Sequence, residues 1–147
     1  MAPDTLSAMM NLATNYEMLG MYNESESLFK DLLDKQKVVI GENSAVYLST
    51  MSSLANSKFF LKKYEEAEVL KKLCLEKRKA LLGEQHPHTL RSLNSLAINY
   101  QYQGRYVEAE TLHKQCLEKK KIGTYPPSLF IHSYTLILLS FSDRSIP

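Results

Sequence analysis

The sequence predicts an all-α fold, a solenoid in which antiparallel helix pairs stack in series. The stretch "KKYEEAEVLKKLCLEKRK" at 62–79 returns 42 positions later as "GRYVEAETLHKQCLEKKK" at 104–121, with 11 of 18 columns identical. Within each copy, apolar residues recur at spacings of three and four, which places them on one face of a helix. Helical units repeated at such a period are typical of proteins that bury their apolar faces only by stacking.

The 42-residue period predicts three copies, at 2–43, 44–85 and 86–123. Residues 1–123 therefore form one array, and 124–147 form a divergent tail. Several columns keep the same residue in every copy, among them Leu12, Leu54 and Leu96; Tyr22, Tyr64 and Tyr106; Glu24, Glu66 and Glu108.

Each copy is predicted to form two helices. In the first copy, Leu6, Met9, Leu12 and Tyr16 share one helical face, and Asp4 is the predicted N-cap of this helix. Gly20 interrupts the pattern.

The second helix of the first copy begins near Tyr22 and runs to Ile40, where Gly41 is the predicted stop. Glutamates gather at its start and lysines at its end, as the helix dipole favours, and this layout recurs in every copy.

One turn departs from the pattern, because Lys62 stands where the other copies have Gly20 and Gly104. If the turn requires a left-handed backbone, Lys62 costs on the order of 1 kcal/mol there. We therefore expect Lys62→Gly to stabilise the protein.

Composition narrows the class of protein. The 147 residues carry a formal net charge of +2 with 44% hydrophobic residues, which favours one globular domain over a charge-driven binder of nucleic acid or membrane. The start, "MAPDTLSAMM", lacks the pattern of a secretory signal, and the apolar run "LILL" falls short of the roughly 20 residues that span a bilayer. Cys74 and Cys116 occupy equivalent places and are expected to be buried free thiols, so we expect a cytoplasmic location.

The copies resemble tetratricopeptide repeats. The third copy reads Leu93-x2-Leu96-Ala97-x2-Tyr100 and continues through Gly104, Tyr106 and Ala109, as the pattern of that family does. The 42-residue length, with "HPHT", "LNSLA", "GRYVEAE" and "LLGEQHP", is similar to the kinesin light chain and nephrocystin group of such arrays. The chain departs from the pattern in having no Trp, Lys58 in the Tyr column, and Lys71 and His113 in the Phe column.

This resemblance implies a right-handed superhelix whose first helices line a concave face that binds a peptide. The implied function is a non-enzymatic scaffold for protein–protein interaction, with cargo or adaptor binding as in kinesin light chains as one form of it. Met18 and Phe60 are among the implied groove positions. The peptide-binding candidates are Asn11, Thr14, Ser52, Asn56, Phe59, Arg91, Asn94, Ile98, Gln101 and Tyr102.

Other interpretations stay open at this point. In one interpretation, the implied groove is a solvated surface that binds no ligand. In another, the basic runs at 77–79 and 119–121 bind nucleic acid, which would weaken steeply with salt. The exposed end of the array offers a surface for self-association. We expect no cofactor and no metal at His86-Pro87-His88. We also expect no catalytic group, because the paired glutamates recur at every second-helix start and are therefore explained by the helix dipole.

The tail, 124–147, breaks the repeat pattern. Residues 128–141 are predicted to form a degenerate first helix of a fourth repeat that caps the array, and the alternative is an ending that does not pack. With a cap, deletion of 124–147 lowers stability.

Overall fold

The computed structural model describes the backbone of residues 3–124 and the side chains of residues 4–120. The predicted cap over 128–141 lies outside these residues. Within them the chain is helical and contains no strand, which confirms the all-α prediction. The six helices are α1 (Pro3–Met18), α2 (Tyr22–Val39), α3 (Ala45–Phe60), α4 (Tyr64–Leu82), α5 (Pro87–Tyr102) and α6 (Tyr106–Thr124).

The helices form a solenoid of antiparallel pairs. Each helix packs chiefly on the helices before and after it in sequence, and α1 also touches α3. Such nearest-neighbour packing is the arrangement of stacked repeats, and it confirms the predicted fold class. The first two pairs fall within the predicted copies, and the third runs one residue past position 123, to Thr124. The boundaries at 2–43, 44–85 and 86–123 stay a prediction.

The turn within each pair has one geometry. Gly20, Lys62 and Gly104 have φ angles of 75°, 64° and 77°, so the turn does require a left-handed residue. The backbone N–H that follows each of these residues donates to the carbonyl five positions before it, as in Lys63 to Lys58 at 2.9 Å. This bond satisfies a carbonyl that the end of the helix leaves unpaired.

The first helices begin with distinct caps. Ser44 accepts the backbone N–H of Tyr47 at 3.0 Å, and His86 Nδ1 accepts that of His88 at 3.1 Å, with Pro87 in the first turn. Asp4 was predicted to be the N-cap of the first helix, and this prediction is wrong. Because α1 already begins at Pro3, Asp4 lies inside the first turn. The helix dipole still stabilises a carboxylate at that position.

The apolar columns of the repeat form the core. Leu54 and Leu96 are each 4% exposed, whereas Leu12, their equivalent in α1, is 45% exposed. Leu75 is 4% exposed, and its equivalent in α6, Leu117, is 56% exposed. Burial of these columns therefore comes from the neighbouring repeat, which accounts for the repetition of the sequence.

Candidate peptide-binding groove

The predicted site residues all lie on the first helix of a pair, and none of them is fully buried. We call the surface formed by these ten residues the groove face. On α1, Asn11 and Thr14 are exposed. On α3 the half-buried members are Ser52, Asn56 and Phe59. On α5, Asn94 and Ile98 are half-buried, and Arg91, Gln101 and Tyr102 are exposed.

The polar side chains of the groove face are not used by the fold. Those of Asn11, Asn56, Arg91 and Asn94 form no hydrogen bond or ion pair among the residues that the structure describes. Free amides and a free guanidinium on an accessible face can bond the backbone of a bound peptide. Their availability is the main chemical property of this surface.

Arg91 and Asn94 share a cleft at the α6 end of the groove face. Its volume is about 550 Å³, and Lys119 and Lys120 of α6 line its far wall together with Gln85, Pro87 and Leu90. Glu84 lies 3.7 Å from Lys119 and partly offsets the positive charge. The cleft is therefore basic, and it is roomy enough for a side chain of a ligand.

Lys71 was not among the predicted site residues, although it stood out in the sequence as a lysine in an apolar column. The residue is only 5% exposed, and its Nζ donates to the carbonyl of Ser95 at 3.2 Å beneath the groove face. The same Nζ lies 4.4 Å from the centre of the Phe59 ring. Burial lowers the pKa of Lys71 to about 8.

Five aromatic rings meet where α3 and α5 end and where α2 and α4 begin. We call them the aromatic band: Tyr22, Phe59, Phe60, Tyr64 and Tyr102. Phe60 stacks on Tyr22 with 4.6 Å between ring centres, and Phe59 contacts Phe60 at 5.4 Å and Tyr102 at 4.9 Å. Tyr64 joins both Phe59 and Tyr102. The band brings together two predicted site residues, Phe59 and Tyr102, from different repeats.

Glutamates of the second helices pair with cations of the next repeat beside this band. Glu26 accepts from Lys58 at 3.1 Å and from Lys63 at 2.8 Å. Desolvation raises the pKa of the Glu26 carboxyl, but the hydrogen bonds and charges of these two lysines outweigh it, and the net pKa is lowered. These charges are therefore committed to the repeat interface.

Glu68 holds the equivalent place between the second and third pairs. It accepts from Gln103 at 3.0 Å and from Arg105 at 2.5 Å, and it also pairs with Lys72. Desolvation raises its pKa, and the bonds from Lys72 and Gln103, with the charges of Lys72 and Arg105, lower it below its ordinary value overall.

The structure separates other members of the groove face. Asn11 lines a cleft between α1 and the end of α2, with Ser7, Met10 and Gln36, and it does not contact the Arg91 cleft.

No group of three or more potential metal ligands occurs in the described residues. His86 and His88 stack at 5.3 Å, and His86 is the N-cap of α5. None of the helices α1 to α6 is long and apolar enough to cross a membrane.

Comparison with known proteins bears on the fold and the family. The chain is similar to a putative kinesin light chain of Podosopora anserina with nearly identical TPR-like repeats, at 24% identity over 86% of this chain and 61% of that chain, with a TM-score of 0.74. It is also similar to BtubC (BKLC) from P. vanneervenii, at 22% identity over 92% and 55%, with a TM-score of 0.76. The chain thus spans less than two thirds of these proteins. No curated protein matches it.

The family model of the tetratricopeptide repeat matches residues 4–76 and again 46–121, which together cover most of the chain. Members of this family are scaffolds for protein–protein interaction, and the solved structures share the helical solenoid fold of this chain. The paired helices, the left-handed turns and the stacked apolar columns described above agree with this family match. The chain belongs to the tetratricopeptide repeat family.

Proposed function

We propose that this chain is a non-enzymatic scaffold that binds a peptide segment of a partner protein along the groove face. The observation that carries the proposal is the set of unpaired polar groups at Asn11, Asn56, Arg91 and Asn94, which lie on the first helices of all three pairs. Amides that bond a peptide backbone, next to aromatic anchors, are the usual means by which a groove reads an extended or short helical segment.

The likeness to kinesin light chain folds supports a narrower form of this proposal, in which the partner is a cargo adaptor linked to kinesin. A cytoplasmic location fits the two buried cysteines, which are free thiols as expected in a reducing compartment.

A peptide-library screen tests the proposal. The wild-type chain is expected to capture a subset of peptides, and the double variant Arg91→Glu, Asn94→Ala is expected to lose at least about tenfold in affinity for them, because both side chains line one cleft. The matched control is Lys30→Glu with Asn23→Ala on α2, where both residues are exposed and away from the groove face.

The two variants separate the outcomes. Equal capture by the wild type and the Arg91 variant would place binding elsewhere on the molecule. Salt provides the second readout, because binding through phosphates collapses between about 50 and 200 mM, whereas groove binding of a peptide weakens far less.

A further inference from the structure

The aromatic band exposes large rings that the fold does not need to expose. Phe60 is 52% exposed and Tyr102 is 62% exposed, although other aromatic side chains of the same helices, Tyr47 and Tyr100, are buried. Aromatic residues are enriched at the energetic centres of interfaces, and a contiguous exposed patch marks an interaction site more often than scattered apolar residues do.

The rings of the band form a corrugated surface. Phe59 stands nearly perpendicular to Phe60 and to Tyr102, with interplanar angles of 79° and 81°. The distances from Phe59 set an upper limit of about 10 Å on the separation of the two exposed rings. A ridged aromatic surface suits proline rings better than it suits a flat stack of bases.

Most of the charged side chains that border the band have ion-pair partners. Lys71, whose Nζ lies 4.4 Å from the centre of the Phe59 ring, has no carboxylate partner, but it is only 5% exposed. Lys58 and Lys63 bind Glu26, and Arg105 binds Glu68 and Glu108. Lys62 carries an unpaired charge beside them, but binding through phosphates uses several cations. The scarcity of accessible unpaired charges favours an uncharged segment as the ligand of the band.

The band also offers donors that such a segment requires. The phenol hydroxyls of Tyr64 and Tyr102 form no hydrogen bond among the described residues. A polyproline II helix has no internal hydrogen bonds, so its carbonyls remain available as acceptors. Rings that pack on proline and hydroxyls that donate to its carbonyls are the two parts of aromatic recognition of such helices.

We propose that the aromatic band binds a proline-rich segment of the partner in the polyproline II conformation. This proposal rests on the proposed function, because Phe59 and Tyr102 belong to the groove face, and it names the chemical class of the ligand. The preformed helix loses little conformational entropy on binding, so a shallow surface suffices.

The test uses a display library of Pro-x-x-Pro-x-x-Pro peptides, a matched library with Ala at the proline positions, and a random library. The wild-type chain is expected to enrich the proline library by at least about tenfold over the alanine library. Phe60→Ala and Tyr102→Ala are expected to remove this preference. Tyr106→Ala is the control, because Tyr106 is equally exposed and contacts no ring of the band. Thermal unfolding of each variant establishes that it is folded.

The outcomes distinguish the two proposals. Enrichment that is lost in both band variants, retained in Tyr106→Ala and insensitive to salt supports the polyproline inference. Capture from the random library with no preference for proline overturns this inference and leaves the proposed function standing. If no library is captured, both fall. Steeply salt-dependent binding of a single-stranded oligonucleotide that Tyr102→Ala abolishes also overturns the inference, because the band then stacks bases.

Discussion

At the scale of single residues, Lys62 carries a backbone conformation that its two equivalents reach through glycine. Its φ of 64° matches those of Gly20 and Gly104. We expect Lys62→Gly to raise the free energy of unfolding by about 0.5–1 kcal/mol, because the left-handed region costs a residue with a Cβ about that much. Urea denaturation measures the change.

Gly104→Lys is the matched control for this prediction. A Cβ at Gly104 would meet no atom within 4 Å, so the substitution tests the backbone conformation alone. It is expected to destabilise the protein by a similar amount. A Lys62→Gly variant with an unchanged or lower urea midpoint would show that the turn does not penalise lysine.

Lys71 is a second residue that lowers the stability of the folded state through its own surroundings. Its pKa falls from an ordinary 10.5 to about 8, because burial disfavours the ammonium. Below pH 8 both the folded and the unfolded chain hold the proton, and the folded state bears the whole penalty. Between pH 8 and 10.5 only the unfolded chain retains it, so this contribution to the free energy of unfolding rises with pH.

We therefore expect Lys71→Met to stabilise the protein by about 1–3 kcal/mol at pH 7, and the difference from the wild type to shrink toward pH 10. Lys30→Met, on the exposed face of α2, is the control and should run parallel to the wild type. Chemical denaturation at several pH values gives both curves. A Lys71→Met difference that stays constant with pH would contradict a lowered lysine pKa.

At the scale of elements, polar contacts between second and first helices hold neighbouring repeats together. Glu68 on α4 binds Gln103 and Arg105, which lie just after α5, whereas its equivalent Glu110 on α6 pairs only with Lys114 of the same helix among the described residues. We expect Glu68→Ala to cost about 1–3 kcal/mol and Glu110→Ala less than about 0.5 kcal/mol.

Acid titration checks the same contact by another route. Because the folded-state pKa of Glu68 is lowered, its contribution to stability is complete above the ordinary carboxyl value of 4.5 and is lost as the pH falls below it. Calorimetry of the wild type and Glu68→Ala should show their melting temperatures converging in acid. Melting temperatures that stay equally far apart would assign the loss to packing instead.

The sequence could predict the elements better than the contacts between them. Helix ends follow from local chemistry, since Gly20 and Gly104 stop the first helices of their pairs and apolar spacing marks each face. The meeting of Phe59 with Tyr102, or of Lys71 with the Ser95 carbonyl, depends on how α3, α4 and α5 pack. The groove face was predictable as a set of positions, whereas the band required coordinates, because its rings come from four helices.

At the scale of the whole molecule, stability depends on how many neighbours each repeat has. Leu75 is covered by α5, whereas Leu117, the same residue of the repeat, is 56% exposed at the end of the described array. We expect Leu75→Ala to cost about 2–5 kcal/mol and Leu117→Ala less than about 1 kcal/mol, because only the first substitution opens a cavity.

Equilibrium unfolding of both variants, in the full chain and after deletion of 124–147, checks this prediction and the predicted cap together. If Leu117→Ala costs as much as Leu75→Ala in the full chain, the end face is covered in solution. A cost that then disappears on deletion assigns the cover to the tail, whereas one that persists assigns it to a second copy and should depend on protein concentration. The stability of a repeat array is approximately the sum of the stabilities of its repeats and of the interfaces between neighbours. A neighbour added at the end of the array therefore changes the stability of the terminal repeat most.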